Sequence, residues 1–531
     1  MLKTISNLIG GNEVNLSRQH FEVPSQFYKD FSIRLSDSGA IDISIAIAKA
    51  KKAANDIECQ SLQFEKRAEI LEKAAKKIRF SKDEMKEIVK FNGMPIKYVR
   101  GYLEQIPALM RTFQTVIKGR YGFIGGRIGT NFLENEKFHK IEFRVPKKGF
   151  IYAITPSNDP RTTAVVSSIA VLLGIPIIIK PSKLDTLVPI KIGEAIIAEG
   201  YPKNGIGIVF FNSENPLSKR HNFKLCDEAS IIWPFGDDST VDNLLRLEHN
   251  QSFNLERFLA DRGINDAQKE FEKFAREIGK SKDTLSEYIT MQTTDHFASK
   301  IVLRHVSGRC AGIVDSDFDI NLAANLIIES SMRYPIGCNS MKSALVVEES
   351  YSKLIENLKK RFCQLEQRVG DPLNEKTEIG YVDPKTVSFV EKRLDELKRS
   401  GLAEIIMGGE KINEMQLTPI LAATNDEHSE LLVNEISAYI LCLKKSDSFR
   451  EAVEEVNVLA LKNPKLAVSY FTQNPEHMKL HINAHHLKIN YLTTDVEGII
   501  HEGNDYIMQL TKPHVVHLQK EHTKKHPYRE D

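Results

Sequence analysis

Gly337-Cys338-Asn339 follows Pro335, and a loop made tight by Pro335 and Gly337 can present a thiol to a substrate carbonyl. A thiolate is a strong nucleophile where its surroundings favour ionisation, whereas most free cysteines are small, inert core residues. Taken singly, Cys338 fits either description. Two further motifs place polar groups just past strand-like runs, at the edge where open parallel sheets bind ligands. In Thr155-Pro156-Ser157-Asn158-Asp159-Pro160, the Asn158 amide can donate to a developing oxyanion, or the turn can merely cap a helix. In Lys180-Pro181-Ser182-Lys183, an ammonium can reach a ribose or phosphate, or remain a solvated loop charge. No GxGxxG or P-loop signature occurs, so a glycine cradle for phosphates is not expected.

Such groups converge only if strands and helices alternate to carry them. Phe64, Ala68, Leu71, Ala75 and Ile78 mark a helical stripe, and the first 120 residues read as helical. Over 139–145 the period changes to two, with Ile141, Phe143 and Val145 on one strand face. From Gly149 the pattern is strand 150–155, helix 161–173, strand 177–179, helix 188–199 and strand 207–211. Repeated units of this kind imply an α/β fold with a doubly wound parallel sheet. A charged, helix-like stretch at 250–297 reads as an insertion. A second alternating region, 306–490, holds strands near 344–347, 403–407, 439–443 and 467–472, and the polar last sixteen or so residues are expected to fray.

Composition narrows the function classes. A chain of 531 residues exceeds one compact core. Its net charge of +1 carries no footprint for nucleic acid or an acidic membrane. The uncharged run 162–179 is broken by Gly174-Ile175-Pro176, which favours a buried helix and a strand over a membrane span. Met1–Val14 lacks the small-residue cleavage site of a secretory signal, so a cytoplasmic setting is expected. The six cysteines (Cys59, Cys226, Cys310, Cys338, Cys363 and Cys442) form no CxxC pair, which argues for free thiols. His481 and His485 have the spacing of a metal helix but lack a third ligand, and no metal is expected.

In their order along the chain, these motifs resemble the aldehyde dehydrogenase superfamily from Ala50 to Leu518. Thr155–Pro160 is similar to its oxyanion-Asn motif, and Ile178-Ile179-Lys180-Pro181-Ser182-Lys183 to its adenosine-ribose motif. Glu199 to Ile206 resembles the turn of the coenzyme domain, and Gly337-Cys338 with Ala344–Val347 the nucleophile loop and its strand. Asn434-Glu435-Ile436-Ser437-Ala438 resembles the motif whose second Glu holds the nicotinamide ribose. Tyr470-Phe471-Thr472, Ile489-Asn490 and Leu510 to Val516 match later landmarks, the last a terminal oligomerisation strand. The resemblance implies five parts: a helical portion of the coenzyme domain (1–127), oligomerisation strands (128–147), a Rossmann-like coenzyme domain (148–305), a catalytic domain (306–490) and a return segment with the terminal strand (491–531). A homodimer or homotetramer is the implied assembly.

By the same resemblance, Cys338 is the nucleophile and Asn158 an oxyanion donor, a contribution of roughly 3 kcal/mol. Thr155, Pro156, Lys180, Ser182, Lys183, Gly236, Asp237 and Glu435 fall at coenzyme-binding positions. Two departures bear on chemistry. His305, in His305-Val306-Ser307-Gly308-Arg309, stands where the family carries the general-base Glu that hydrolyses the acyl-enzyme. Trp233-Pro234-Phe235-Gly236-Asp237 replaces the usual pyrophosphate turn. Both bring the chain closer to the long-chain acyl-CoA reductase branch, in which acyl-CoA is reduced to an aldehyde through an acyl-cysteine. Lys183, where NAD-preferring members often carry Glu, favours NADP over NAD. The expected substrate is thus a small-molecule aldehyde or acyl-CoA, with coenzyme A as a possible co-substrate. The alternatives are a hydrolytic enzyme in which His305 is the base and a non-catalytic member kept for assembly.

Overall fold

The computed structural model describes residues 3–56, 62–124, 127–134, 138–212, 214–236, 241, 300–305, 308–333, 337–427, 429–434, 436–494, 500–501 and 504–519. The expected 250–297 insertion, Pro335, Asp237, Glu435 and the terminal residues from 520 lie outside them.

The runs Ile151–Thr155 and Ile177–Pro181 are apolar at almost every position, as strands covered on both faces must be. They form the middle of a seven-stranded sheet. Its order is Ile301–Val302, Ile231–Pro234, Ile151–Thr155, Ile177–Pro181, Ile206–Ile208, Asn7–Ile9 and Asn12–Val14. Ile151, Ala153, Ile177 and Ile179 pack with the helices Thr162–Leu173 and Leu187–Ala198. Tyr152 and Ile178 face the other way, onto Ile43, Ala46 and Ile47 of the helix Ala40–Asn55. The parallel core of the sheet is thus wound on both faces. The Thr162–Leu173 helix ends at Gly174, whose φ of 71° is left-handed. A Cβ there would lie 2.4 Å from the Arg67 guanidinium carbon, so glycine is needed twice over.

The second sheet also has seven strands, ordered Glu404–Met407, Ile420–Ala423, Ile440–Ser446, Met341–Val347, Cys310–Val314, Lys465–Phe471 and Ala484–Ile489. Its pairings are parallel except at the Glu404–Met407 edge. A four-stranded antiparallel sheet joins Thr511–Gln519, Phe138–Pro146, Arg127–Glu134 and Phe123–Ile124.

One reading of the sequence is corrected. The opening segment is not helical: it contributes Thr4–Ile5, Asn7–Ile9, Asn12–Val14, His20–Pro24 and Ser32–Ser36 as strands. Leu8 pairs antiparallel with Ile208 and extends the first sheet, and runs this short carry too few residues for a period to emerge. The His481–His486 spacing is also not helical, because Ala484–Ile489 is a strand with alternating burial. Among the described residues, no helix is long and apolar enough to cross a membrane.

Candidate active site

The stretch from Ile301 to Val314 passes from one sheet to the other. Its first part pairs in parallel with Ile231–Pro234, and the ladder runs on through a bridge between Phe235 and His305. The His305 N–H donates to the Pro234 carbonyl at 3.1 Å, and the Gly236 N–H to the His305 carbonyl at 3.1 Å. Five residues later, Cys310 opens a central strand of the second sheet. This crossing carries His305 to the Cys338 loop.

Cys338 lies half-buried in a loop held from three sides. The Ser340 N–H donates to the Gly337 carbonyl at 2.9 Å, and the Ser340 hydroxyl to the Ser331 carbonyl at 3.3 Å. Asn339 Nδ2 donates to the Thr494 carbonyl at 2.7 Å, and the Thr493 hydroxyl to the Asn339 carbonyl at 2.9 Å. On the third side a Cβ on Gly308 would stand 1.6 Å from the Cys338 carbonyl oxygen. Only glycine permits that approach. The Cys310 thiol donates to the same carbonyl at 3.5 Å.

Cys338 Sγ is 3.7 Å from His305 Nε2, the distance of a weak sulfur–nitrogen hydrogen bond. His305 Nδ1 lies 3.3 Å from the Tyr506 hydroxyl, and the ring sits 4.3 Å from Phe235, centroid to centroid. Tyr506 in turn packs on Trp233 at 4.5 Å. This aromatic enclosure desolvates the imidazolium, and burial pushes the His305 pKa down to about 3, Asp159 opposing. At neutral pH the ring is therefore uncharged. Below about pH 6.5, the ordinary value, the unfolded chain takes up a proton that the folded ring refuses, so stability is lost as pH falls. His305→Gln is expected to flatten that acid limb, as thermal melts across acidic pH would show.

The other predicted residues lie along the carboxyl edge of the first sheet. Asn158, Pro156 and Asp159 occupy the turn after Ile151–Thr155, half-buried. Asp159 is close enough to act electrostatically on His305, which sets that turn near the His305–Cys338 pair. Thr155 pairs in register with Pro181, and the Ser182 N–H donates to the Thr155 carbonyl at 3.0 Å. The Ser182 hydroxyl accepts the Leu184 N–H at 3.3 Å, closing a local turn. Lys180 stands over the Phe211 ring at 5.4 Å, and burial lowers its pKa to about 8. Lys183 pairs with Glu214.

Thr155 Oγ1 and both Asp185 carboxylate oxygens are buried and have no hydrogen-bond partner among the described residues. Burial raises the Asp185 pKa to about 8. Buried polar atoms left without a protein partner fit a polar ligand such as a dinucleotide. Sequence reasoning missed Asp185 and Tyr506. No local pattern marks Tyr506, which meets His305 across 201 residues of chain.

The sequence pattern described as "Aldehyde dehydrogenase family" matches residues 14–218 and 281–502. The chain belongs to the aldehyde dehydrogenase family. That family comprises oxidoreductases that act on aldehydes with NAD or NADP. "Aldehyde dehydrogenase family 7 member A1" of Brassica napus is 28% identical over 196 residues, 36% of this chain and 38% of that protein. "Gamma-glutamyl phosphate reductase" of Methanococcoides burtonii is 28% identical over 156 residues, 29% of this chain and 26% of that protein. These alignments therefore span well under half of either relative's length. The crystal structure of an NAD-dependent aldehyde dehydrogenase from Sinorhizobium meliloti superposes with a TM-score of 0.74 over 98% of this chain and 95% of that one. At 20% identity, that likeness is one of fold.

Proposed function

We propose that this chain interconverts an aldehyde and an activated acyl group, an acyl-CoA thioester, through an acyl intermediate on Cys338. The observation that carries the reading is the His305 imidazole 3.7 Å from Cys338 Sγ, where by the motif resemblance hydrolytic members hold a carboxylate base. A ring whose conjugate acid has a pKa near 3 is a poor base for activating water at neutral pH. It can still hydrogen-bond to the sulfur and position it.

In the reductive direction, Cys338 Sγ forms a bond to the thioester carbonyl carbon and the carbonyl electron pair moves onto oxygen. Asn158 and the Cys338 N–H donate to that oxyanion. Its collapse breaks the bond to the departing CoA sulfur, which leaves as thiolate and takes up the equivalent of the proton that the Cys338 thiol gave up on attack. Lys180, Ser182, Lys183, Thr155, Pro156, Gly236, Asp237 and Glu435 are the proposed coenzyme-binding groups. When bound, a nicotinamide coenzyme supplies the hydride chemistry. NADP is favoured over NAD because of the Lys183 cation, although Glu214 must release it to a 2′-phosphate. The Thr511–Gln519 strand and its four-stranded sheet are the proposed surface for a homodimer or homotetramer. Support for activated acyl chemistry comes from the relative named as a gamma-glutamyl phosphate reductase.

The test is turnover with and without CoA. Acyl-CoA should drive coenzyme oxidation, and aldehyde oxidation should require CoA. Full-rate formation of free acid without CoA would overturn the proposal. His305→Ala should lower CoA-dependent turnover by roughly tenfold, the loss expected for one weak hydrogen bond. If His305 instead activated water, that variant would accumulate acyl-Cys338, seen as a mass shift on the protein.

A further inference from the structure

Charged groups from the segment after Asn158 and the segment before Cys338 gather on one helix. Tyr98, Gly101, Tyr102 and Gln105 recur at the spacing of one face of the Ile96–Tyr121 helix. Two guanidinium groups lie against that face. Arg161, three positions past Asn158, sits 4.1 Å from the Tyr102 ring centroid and donates to Gln105 Oε1 at 2.6 Å and to Asp159. Arg333, five positions before Cys338, sits 5.6 Å from the Tyr98 ring centroid and donates to Glu329 at 2.5 Å. Tyr102 lies between the two pairs: burial raises its pKa to about 12, and both arginines oppose the rise. The segments presenting the oxyanion amide and the thiol therefore each bring an ion pair to the same helix face.

The two arginines differ in what they have left to offer. Nε, Nη1 and Nη2 of Arg161 all donate to protein groups. Arg333 uses only Nη1; its Nε and Nη2 have no acceptor among the described residues, and 37% of its side chain is exposed. Gly101 lies beside that edge: a Cβ there would be in ordinary van der Waals contact with Arg333 Nη2, at 3.9 Å, and a bulkier side chain would crowd it. An aliphatic chain laid here would desolvate charges without replacing their water. A carboxylate could accept two parallel N–H bonds from the open edge of the guanidinium.

We propose that the site takes aldehydes and acyl thioesters bearing a carboxylate at the end remote from the reacting carbonyl, with Arg333 as the residue that binds it. The inference rests on the Cys338 chemistry proposed above and narrows its substrate class to acid-ended chains rather than wholly apolar ones.

The test compares the semialdehyde of a short dicarboxylic acid with the uncharged aldehyde of equal chain length, using the full-length enzyme. Wild type should prefer the charged substrate by at least about tenfold in kcat/KM. Arg333→Leu should lose roughly ten- to a hundredfold on the charged substrate and little on the neutral one, as expected for hydrogen bonds to a charged group. Arg333→Lys should recover part of the loss. Gly101→Val, which leaves the charge but crowds Nη2, should weaken the preference in the same direction if Arg333→Leu proves unstable. Equal losses on both substrates, or a wild-type preference for the neutral aldehyde, would overturn the inference while acyl-Cys338 still formed. Failure of either substrate to acylate Cys338 would overturn the thiol chemistry and the inference with it.

Discussion

Cys338→Ala is expected to reduce turnover by roughly ten-thousand-fold or more, the scale on which removal of a covalent nucleophile acts. The other described cysteines are poor substitutes: Cys226, Cys310 and Cys442 are buried, and Cys363 lies exposed on the helix Glu348–Glu366. Burial raises the Cys442 thiol out of the reactive range altogether. Among the described cysteines, only Cys338 combines partial exposure with a ring nitrogen beside its sulfur. Because its side chain is half-buried and small, the substitution should leave the melting temperature and coenzyme binding nearly unchanged. Steady-state absorbance of the reduced nicotinamide measures the loss, and a variant retaining a tenth of wild-type activity would rule out the acyl-cysteine route.

The second large effect belongs to Gly308, which does no chemistry itself. A methyl group there would meet the Cys338 carbonyl oxygen at 1.6 Å and its carbon at 2.5 Å. Both are backbone atoms, so no flexible side chain can swing away. Either the crossing segment or the nucleophile loop must shift. Overpacking of this kind typically costs about 1–3 kcal/mol, occasionally more, and a displacement of about 1 Å at reacting atoms can lower the rate about a hundredfold. Gly308→Ala is therefore expected to lower stability in urea melts and kcat by about that factor together. A variant with wild-type kcat would show that the contact is not rigid.

The sequence disclosed the sheet cores better than their edges. Ile177 to Ile179 read as a buried strand because three successive apolar residues flanked by Pro176 and Lys180 leave little alternative. Asn7–Ile9 was illegible, since its pairing with Ile206–Ile208 is a tertiary event without a local pattern. For the site, the order of short motifs singled out Cys338, and the structure sets it beside His305. The partners of those residues were hidden. Gly308 could be located but not explained, because its reason lies in the backbone of a loop thirty positions away. Tyr506 carried no signal at all. Arg161 reads in the sequence only as the start of the 161–173 helix, and nothing local points to Tyr102 and Gln105 against it.

The clasp around the thiol also sets an order of assembly. Cys338 emerges from the ribosome long before Thr493 and Thr494, which hold Asn339, and before Tyr506, which meets His305. During synthesis the first sheet can close while its neighbour's loop still lacks these late partners. Until Thr493, Thr494 and Tyr506 have been made, Cys338 lacks contacts that hold its loop and its neighbouring imidazole in place.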